Sequence, residues 1–515
     1  MTDFLSNLKS TLEEEYNVSI TENGAIGYRT TGKSLLDLNF AVSSLRMASE
    51  TEIEEMFLKS FYEEKMLALK WLFYLRDVRG GLGERRTFRV ILRLLANKKP
   101  EYIKSLIKLI PEYGRWDDLL CLVDCNSVRD CVLSIIKEQF NKDMQDMNDE
   151  KSISLLAKWL PSVNASSKQT KLNAKKIYTY MGLTKTEYRK SLSKLRAYLD
   201  VVERKMSAKQ WSEIDYSTVP SRANLIYNNC FLRNDTERRQ EFLSALTKGE
   251  VKINASTLYP CDIVHKYYFK EFDQTLEELW KALPNNVQGS ENTIVVADGS
   301  GSMMTNVGSV TALDVANSLA IYFAERSTGE FKDKYITFSE NPQLVDLSKG
   351  KNLREKLDIA RLHCEVANTN IEAVFDLILD TAIKHKMKQE DLPKNIIIIS
   401  DMEFDHCAVS NRFVDSRDYR YMRLDERLFD VISQRYEDNG YKLPKLMFWN
   451  VCSRTKTIPL KENELGVMLV SGFSTNTFKM IMSNKTDPYE CLIEVLNDKR
   501  YMAVEERLKE YVDLM

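Results

Sequence analysis

Two serines and an aspartate follow an apolar run in the second half of the chain, in the stretch VVADGSGSMMT at residues 295–305. Asp298, Ser300 and Ser302 alternate with glycines, so three oxygen ligands lie within five residues. Carboxylates and hydroxyls are hard ligands that suit Mg²⁺ or Mn²⁺ better than a soft metal. The spacing predicts a divalent-cation site. The alternative is a turn with a helix N-cap, because Asp and Ser also satisfy free helix-terminal N–H groups.

Further oxygen ligands follow later segments of the same half. Thr369 stands ahead of a helical pattern in VANTNIEAVF, and Asp401 follows the most apolar run of the chain, NIIIIS. Ligands of a parallel sheet bind beyond the carboxyl ends of its strands, so we expect these side chains to meet at one edge. The predicted metal ligands are Asp298, Ser300, Ser302, Thr369 and Asp401. Glu403 and Asp405 are predicted to form a solvated rim.

The pattern of apolar residues changes near residue 290. Before it, they recur at helical spacing in segments such as EEMFLKSFYEEKMLALKWLFYL and ERRTFRVILRLLANK. After it, short apolar runs such as TIVVAD and KNIIIIS alternate with helical stretches, as in a parallel sheet covered on both faces. We predict an irregular α-helical solenoid or ring over residues 1–288 and an α/β domain over residues 289–515.

Composition limits the class of protein. The 515 residues contain 73 Lys and Arg against 75 Asp and Glu, so the net charge indicates no particular partner. The first residues are acidic where a leader would be basic and apolar, and no apolar run approaches the length of a membrane span. Nine cysteines without paired CxxC spacing predict reduced thiols. We therefore predict a cytoplasmic protein that does not enter a membrane.

Local charge is uneven despite the neutral total. Residues 151–210 contain 14 Lys and Arg against 3 Asp and Glu, and aromatic residues including Trp159, Tyr178 and Tyr188 are interleaved. Cations that track phosphates and rings that stack on bases are typical of proteins that bind single strands or RNA loops. The predicted RNA-binding residues are Lys168, Lys171, Lys175, Lys176, Lys185, Arg189 and Lys190. The alternative is a solvated helix face with tyrosines in the core.

Two other patterns point away from catalysis or binding. Six arginines around RGGLGERR, between Arg76 and Arg93, are interpreted as structural ion pairs. The glycines flank Ser300 directly, unlike a G-x-S-x-G nucleophile elbow, and no Walker lysine follows them. No histidine stands in a recognisable triad pattern. We predict that the protein is not an enzyme.

The order of VVADGSGSM, YITFSEN, ANTNIEAV, NIIIISDMEF, KLMFWNV and GVMLVSGFSTNTFKMIM resembles the von Willebrand factor A domain of the Ro autoantigen, or TROVE, proteins. The pattern Asp-x-Ser-x-Ser, Thr, Asp resembles the metal-ion-dependent adhesion site of such domains. The resemblance implies a Rossmann-like fold in which Ser300, Ser302 and Thr369 contact the metal directly. It implies that Asp298 and Asp401 act through water, and that an open position takes a carboxylate from a protein ligand.

One position departs from that family, which has two glycines before the threonine where this chain has Ala367 and Asn368. In the TROVE family, HEAT-like helical repeats form a ring that binds small or single-stranded RNA. The resemblance therefore implies a ribonucleoprotein scaffold. The whole chain also resembles an uncharacterised family with the same two-part plan, in FYLRDVRGGLGERRTF, PEYGRWDDLL and VERKMSAKQWSEIDYSTVPSRA. The alternative function is a protein-binding assembly module that binds no RNA.

Overall fold

The computed structural model of the chain describes residues 8–9, 11–12, 16–287, 292–338, 342–363, 370–405, 428–460, 467–481, 485 and 487–512. Its contacts form two compact units, each discontinuous in sequence. The sheet unit contains residues 1–49, 56–64 and 258–495, and the helical unit contains residues 50–55, 65–257 and 496–515. The division of the chain at residue 288 stays a prediction.

Short strands occur near the N-terminus, and longer strands follow in the second half of the chain. Within the described residues they are β1 (Val18–Ile20), β2 (Ile26–Tyr28), β3 (Thr293–Asp298), β4 (Asn306–Val307), β5 (Val310–Thr311), β6 (Lys334–Phe338), β7 (Gln343–Asp346), β8 (Asn395–Ser400), β9 (Lys445–Asn450) and β10 (Val467–Ser471). β1 pairs with β2 and β4 pairs with β5, both antiparallel.

Helices account for most of the first half and alternate with strands in the second. The described α-helices are α1 (Ser34–Phe40), α2 (Glu50–Glu63), α3 (Lys65–Arg76), α4 (Arg86–Lys98), α5 (Pro100–Leu106), α6 (Ile110–Tyr113), α7 (Arg129–Asn148), α8 (Leu156–Trp159), α9 (Lys168–Met181), α10 (Lys185–Tyr198), α11 (Val202–Ser207), α12 (Ser221–Asn234), α13 (Thr236–Thr247), α14 (Pro260–Val264), α15 (Gln274–Lys281), α16 (Ala312–Arg326), α17 (Leu353–Leu362), α18 (Glu372–His385), α19 (Leu428–Asp438), α20 (Thr477–Ile481), α21 (Pro488–Leu496) and α22 (Lys499–Val512). The predicted change from a mostly helical region to an α/β region is confirmed at this level.

The six-stranded sheet has the spatial order β10-β9-β8-β3-β6-β7. Neighbours from β10 to β6 pair in parallel, whereas β7 pairs antiparallel with β6. The antiparallel edge was not predicted. Its cause is the short connection from Phe338 to Gln343, because parallel neighbours need a crossover of a dozen or more residues. Counted along the chain, the order is 3-2-1-4-5-6, and it reverses between β3 and β8.

Burial on both faces explains the apolar runs of the central strands. Every residue of β3 is buried, and so are all residues of β8 after the first. Helix α16 packs against β3, β6 and β8. It begins with a capping box, in which the Thr311 hydroxyl accepts from the Asp314 N–H at 3.1 Å and the Asp314 carboxylate accepts from the Thr311 N–H at 3.0 Å. The cap fixes where α16 starts and so how it crosses the sheet.

A buried carboxylate joins three segments of the helical unit. Asp118 is fully buried, and its two oxygens accept from Nε of Arg76 at 2.9 Å and from Nε of Arg89 at 2.6 Å. The backbone N–H of Arg115 donates to the same carboxylate at 2.9 Å. Arg93 pairs with Glu50 at 2.7 Å. The structural interpretation of these three arginines is confirmed.

Two further observations concern the chain as a whole. No helix in the described part of the chain is both long enough and apolar enough to cross a membrane. The seven cysteines that the structure describes are free thiols. Burial raises the pKa of the Cys121 thiol to about 12, so this thiol is protonated and unreactive at neutral pH.

Replacing Asp118 by Ala should lower the free energy of unfolding by about 3–5 kcal/mol, because it leaves the buried Arg76 guanidinium without its partner. Chemical denaturation with a far-UV circular dichroism readout measures the change. Asp117→Ala is the matched control, since the Asp117 side chain is 18% exposed and its ion pairs are partly solvated. Equal losses in the two variants would contradict the assignment of Asp118 as the joining group.

Candidate functional site

The candidate metal site lies where the strand order reverses, which is the usual ligand crevice of an open α/β sheet. Asp298 is the last residue of β3, and Asp401 directly follows β8. The two strands pair in parallel with Ala297 opposite Ile399, so both aspartates reach the same edge of the sheet. Both side chains are fully buried. The predicted meeting of Asp298 and Asp401 at one edge is confirmed.

Hydrogen bonds fix the orientation of the Asp298 carboxylate. Its Oδ1 accepts from the backbone N–H of Ser300 at 2.8 Å, and its Oδ2 accepts from the hydroxyl of Ser400 at 2.6 Å. The Ser400 hydroxyl in turn accepts from the N–H of Met402 at 3.0 Å. Sequence reasoning missed Ser400. The available signal was a polar residue that ends the otherwise apolar run NIIIIS.

The two serines of the motif present a pair of hydroxyls. Their Oγ atoms lie 2.9 Å apart. Ser300 is buried, whereas Ser302 is partly exposed on the short 3-10 turn that follows. The pair therefore connects the buried Asp298 with the surface of the crevice.

Asp401 has one oxygen without a hydrogen bond. Its Oδ1 accepts from the N–H of Glu403 at 3.2 Å. Its Oδ2 is buried and accepts no hydrogen bond from a described residue, while Nη1 of Arg454 lies 3.3 Å away. Met402, between the two acids, has φ of 63°, a left-handed conformation that is uncommon outside glycine. Such strain clusters at functional sites.

Burial changes the acidity of both aspartates. Burial, together with the negative charge of Asp401, raises the pKa of Asp298 to about 7. Burial also raises the pKa of Asp401, and the nearby Ser302 hydroxyl and the positive charge of Arg454 oppose this rise. Two desolvated carboxylates therefore share a small volume with one guanidinium.

These residues fit a hard divalent cation. The orphaned Asp401 Oδ2, the paired serine hydroxyls and the second buried carboxylate are all oxygen donors, and a cation would relieve the repulsion between the two acids. No group of three or more His, Cys, Asp or Glu in the described ranges is placed to hold a metal. The site therefore depends on the serine hydroxyls. Thr369 lies outside the described residues, as do Ala367 and Asn368.

The prediction of a solvated rim is wrong for Glu403, which is fully buried. Its carboxylate accepts from the backbone N–H groups of Glu22 at 2.8 Å, Arg454 at 2.7 Å and Thr455 at 2.9 Å. It thereby joins the β1–β2 turn and the segment after β9 to the crevice. These partners lie about 50 and 381 residues away, so no local pattern could reveal them.

Arg454 and Glu22 are the other residues that sequence reasoning missed. The Arg454 guanidinium pairs with the Glu22 carboxylate and also faces Asp401. The positive charge beside the buried acids is therefore held in place by the N-terminal hairpin of the same unit. Neither residue belongs to a recognisable motif.

The predicted RNA-binding cations lie on α9 and α10. Gly182, with φ of 76°, ends α9 in a left-handed cap, and Thr184 with Glu187 forms the capping box that starts α10. Lys176 is half-buried and pairs with Asp124. The six other predicted cations are exposed and have no acidic partner among the described residues: Lys168, Lys171, Lys175, Lys185, Arg189 and Lys190.

The aromatic residues of this region differ in burial. Tyr188 is fully buried, stacks on Phe140 with ring centroids 6.3 Å apart, and donates to the carbonyl of Pro161 at 3.0 Å. Tyr178 is half-buried and packs against Tyr188. For Tyr188 the alternative of a core tyrosine is therefore correct, because its ring packs on Phe140 of α7. Tyr180 is 38% exposed.

Replacing Asp298 by Asn in buffer with a chelator should change how stability depends on pH. The folded pKa of Asp298, about 7, exceeds its unfolded value, so the folded wild type binds the proton more tightly between pH 4 and 7. The wild type should lose stability relative to the variant as the pH rises through that window, by about 1.4 kcal/mol per unit of pKa shift.

Urea denaturation at pH 4.5, 6 and 8 measures this difference. Asp346→Asn is the control, since a hydrogen bond from Ser348 lowers the pKa of that partly exposed acid. A difference in the free energy of unfolding between wild type and Asp298→Asn that stays constant from pH 4.5 to 8 would contradict a raised pKa of Asp298.

Two family models match consecutive parts of the chain. Residues 292–513 match a family described as Domain of unknown function (DUF7788). Residues 21–126 and 124–296 match a second family, Domain of unknown function (DUF2828). Uncharacterized protein L728 of Acanthamoeba polyphaga mimivirus is 32% identical over 520 residues, which cover 93% of this chain and 87% of that protein. The chain belongs to the DUF2828 family.

Proposed function

We propose that the protein is an RNA-binding scaffold whose sheet unit carries a von Willebrand factor A-type site for Mg²⁺ or Mn²⁺. The observation that carries the RNA proposal is the set of six exposed cations on α9 and α10 without acidic partners. In an otherwise neutral chain, such a concentration of unpaired charge leaves a surface that favours a polyanion.

Helix geometry supports this reading of the basic face. Lys168, Lys171 and Lys175 follow the spacing i, i+3, i+7, so they lie along one side of α9. The first turn of α9 contains no acidic residue, and Lys168 begins the helix. A cation at a helix N-terminus opposes the helix dipole and lowers stability. A bound phosphate would reverse that penalty, since anions bind favourably at helix N-termini.

The metal proposal is supported by the strand order and by the donors at the reversal point. The order 3-2-1-4-5-6 with an antiparallel edge strand is compatible with a von Willebrand factor A fold. Ser300, Ser302 and Thr369 would contact the cation directly, and Asp298 and Asp401 would act through water. The cation would supply a position for a carboxylate of a protein partner. The helical unit would be the HEAT-like part of this plan.

A protein-binding assembly module is the second candidate. Leu172 on α9 is 43% exposed and lies beside the lysines, so the same face offers apolar area that a protein could cover. The two candidates differ in salt dependence, because RNA binding releases counterions from phosphates. A protein interface of mixed character responds to salt less steeply.

The triple variant Lys168/Lys171/Lys175→Ala should bind single-stranded RNA more weakly than wild type. Each lysine that contacts a phosphate contributes about 0.7 to the slope of log affinity against log salt, so the slope should fall by about 2. Fluorescence anisotropy with a labelled 20-nucleotide RNA, titrated at four salt concentrations, measures both quantities. Lys349/Lys351/Lys384→Ala removes three exposed lysines of the sheet unit as the control.

A Kd of the wild type for RNA above about 10 μM at moderate salt would contradict the RNA proposal and favour the assembly module. So would a triple variant that behaves like the control. Lys176 stays unchanged because its loss would also break the ion pair with Asp124.

Mg²⁺ or Mn²⁺ should raise the melting temperature of the full-length protein. The free energy of unfolding should rise by up to about 2.7 kcal/mol at a metal concentration a hundredfold above Kd. Ser300→Ala and Asp401→Asn should each abolish the increment without changing RNA affinity. Asp346→Asn, at a partly exposed acid of the same unit, should keep it. Differential scanning calorimetry with and without metal provides the measurement. A metal response that survives both site variants would refute the metal site.

A further inference from the structure

A cavity of about 760 Å³ lies within the helical unit. Its walls come from the segments around Asp77, Gly114 and Trp159, from residues 199–205 and from residues 214–220. The volume is in the range of small-molecule sites. It shares none of its lining with the predicted RNA-binding cations or with the candidate metal site.

One wall of the cavity is aromatic. Trp116 and Trp159 both line it and are both half-buried. The Arg115 guanidinium lies 4.0 Å from the centroid of the Trp159 ring, which makes a stacked cation–aromatic pair. Neither indole N–H donates to a described residue, so each can donate to a ligand. These groups suit a planar ring with hydrogen-bond acceptors on its edge.

Unpaired positive charge lies beside this wall. Arg79 lines the cavity, is exposed, and has no acidic partner among the described residues. Arg115 shares Asp117 with Arg89, whose guanidinium also pairs with Asp118. Arg76 also pairs with Asp118. Three guanidinium groups therefore share two carboxylates, those of Asp117 and Asp118.

The charge on Arg85 adds to this excess. Partial burial of the Arg85 guanidinium and the nearby positive charges of Arg115 and Arg89 lower its pKa. The side chains around Arg115 therefore carry more positive than negative charge, and guanidinium groups bind phosphate in bidentate fashion.

Four acids line the cavity beside four bases, and two of these acids already have cationic partners. Asp77 accepts from Arg500, with Nη2 at 2.9 Å, and from the hydroxyl of Tyr501 at 3.2 Å. Asp200 pairs with Lys205 at 2.6 Å. Glu112 and Asp215 also line the cavity, so the lining contains hydrogen-bond acceptors as well as donors. A ligand with ribose hydroxyls and an amino-substituted base needs both.

We propose that this cavity binds a free nucleotide, with the base against Trp159 and Trp116 and the phosphate toward Arg79 and Arg115. The ring planes, the free indole donors and the guanidinium groups, of which Arg79 has no acidic partner among the described residues, match the three parts of a nucleoside 5′-phosphate. The site is separate from the lysines of α9 and α10, so it stands whether or not the protein binds RNA.

Isothermal titration calorimetry with AMP, GMP, adenosine, inorganic phosphate and a ten-nucleotide RNA tests the proposal on the full-length protein. AMP or GMP should bind with a Kd below about 1 mM, and adenosine and phosphate should each bind at least tenfold more weakly. Trp159→Leu should weaken nucleotide binding about tenfold or more. Arg79→Ala should bring the affinity for AMP close to that for adenosine.

Matched variants separate the site from general damage. Trp211→Leu changes a half-buried indole of the same unit that does not line the cavity, and Lys98→Ala removes an exposed cation outside it. Both should bind AMP like wild type, and so should the Lys168/Lys171/Lys175→Ala triple variant. Because Arg79 is exposed, its substitution tests the phosphate contact even if Trp159→Leu fails to fold.

Three results would overturn the proposal. The first is that neither mononucleotide binds below about 1 mM. The second is that Arg79→Ala and a folded Trp159→Leu bind AMP as wild type does. The third is that the ten-nucleotide RNA binds while AMP and GMP do not, which would make the cavity a recess for polymeric RNA.

Discussion

Negative charge buried at the ends of β3 and β8 is the constraint on which the crevice of the sheet unit depends. Asp298 and Asp401 are both removed from water, and each raises the free energy of ionising the other. Ser400 and the Arg454 guanidinium offset part of that cost. Arg454 is itself held by Glu22, so the N-terminal hairpin belongs to the electrostatics of the crevice.

The helical unit contains both buried, paired charges and exposed, unpaired charges. Asp118 is fully satisfied by Arg76, Arg89 and a backbone N–H, and this network fixes three segments against each other. Six exposed cations of α9 and α10 have no acidic partner among the described residues, and their helices are anchored instead by apolar residues on the opposite face, including Tyr188. The paired charges around Asp118 therefore stabilise the fold, whereas the unpaired cations of α9 and α10 are accessible to a ligand.

Local sequence determined much of the architecture. Apolar spacing separated the helical half from the α/β half, because the period of burial is a property of neighbouring residues. It also placed Asp298 and Asp401 at strand ends. Parallel strands end at a common edge, so their meeting followed from the pattern. The charge count of residues 151–210 likewise located the exposed cations.

Tertiary structure decided what depends on distant partners. Glu403 reads as a surface acid in the sequence, yet it is buried because partners from the N-terminal hairpin and from the segment after β9 surround its carboxylate. Tyr188 reads as a candidate stacking ring, yet Phe140 covers it. The cavity beside Trp159 is formed by segments up to about 180 residues apart. Spacing along the chain carries no information about such encounters, since burial and charge pairing are set by what packs against a residue.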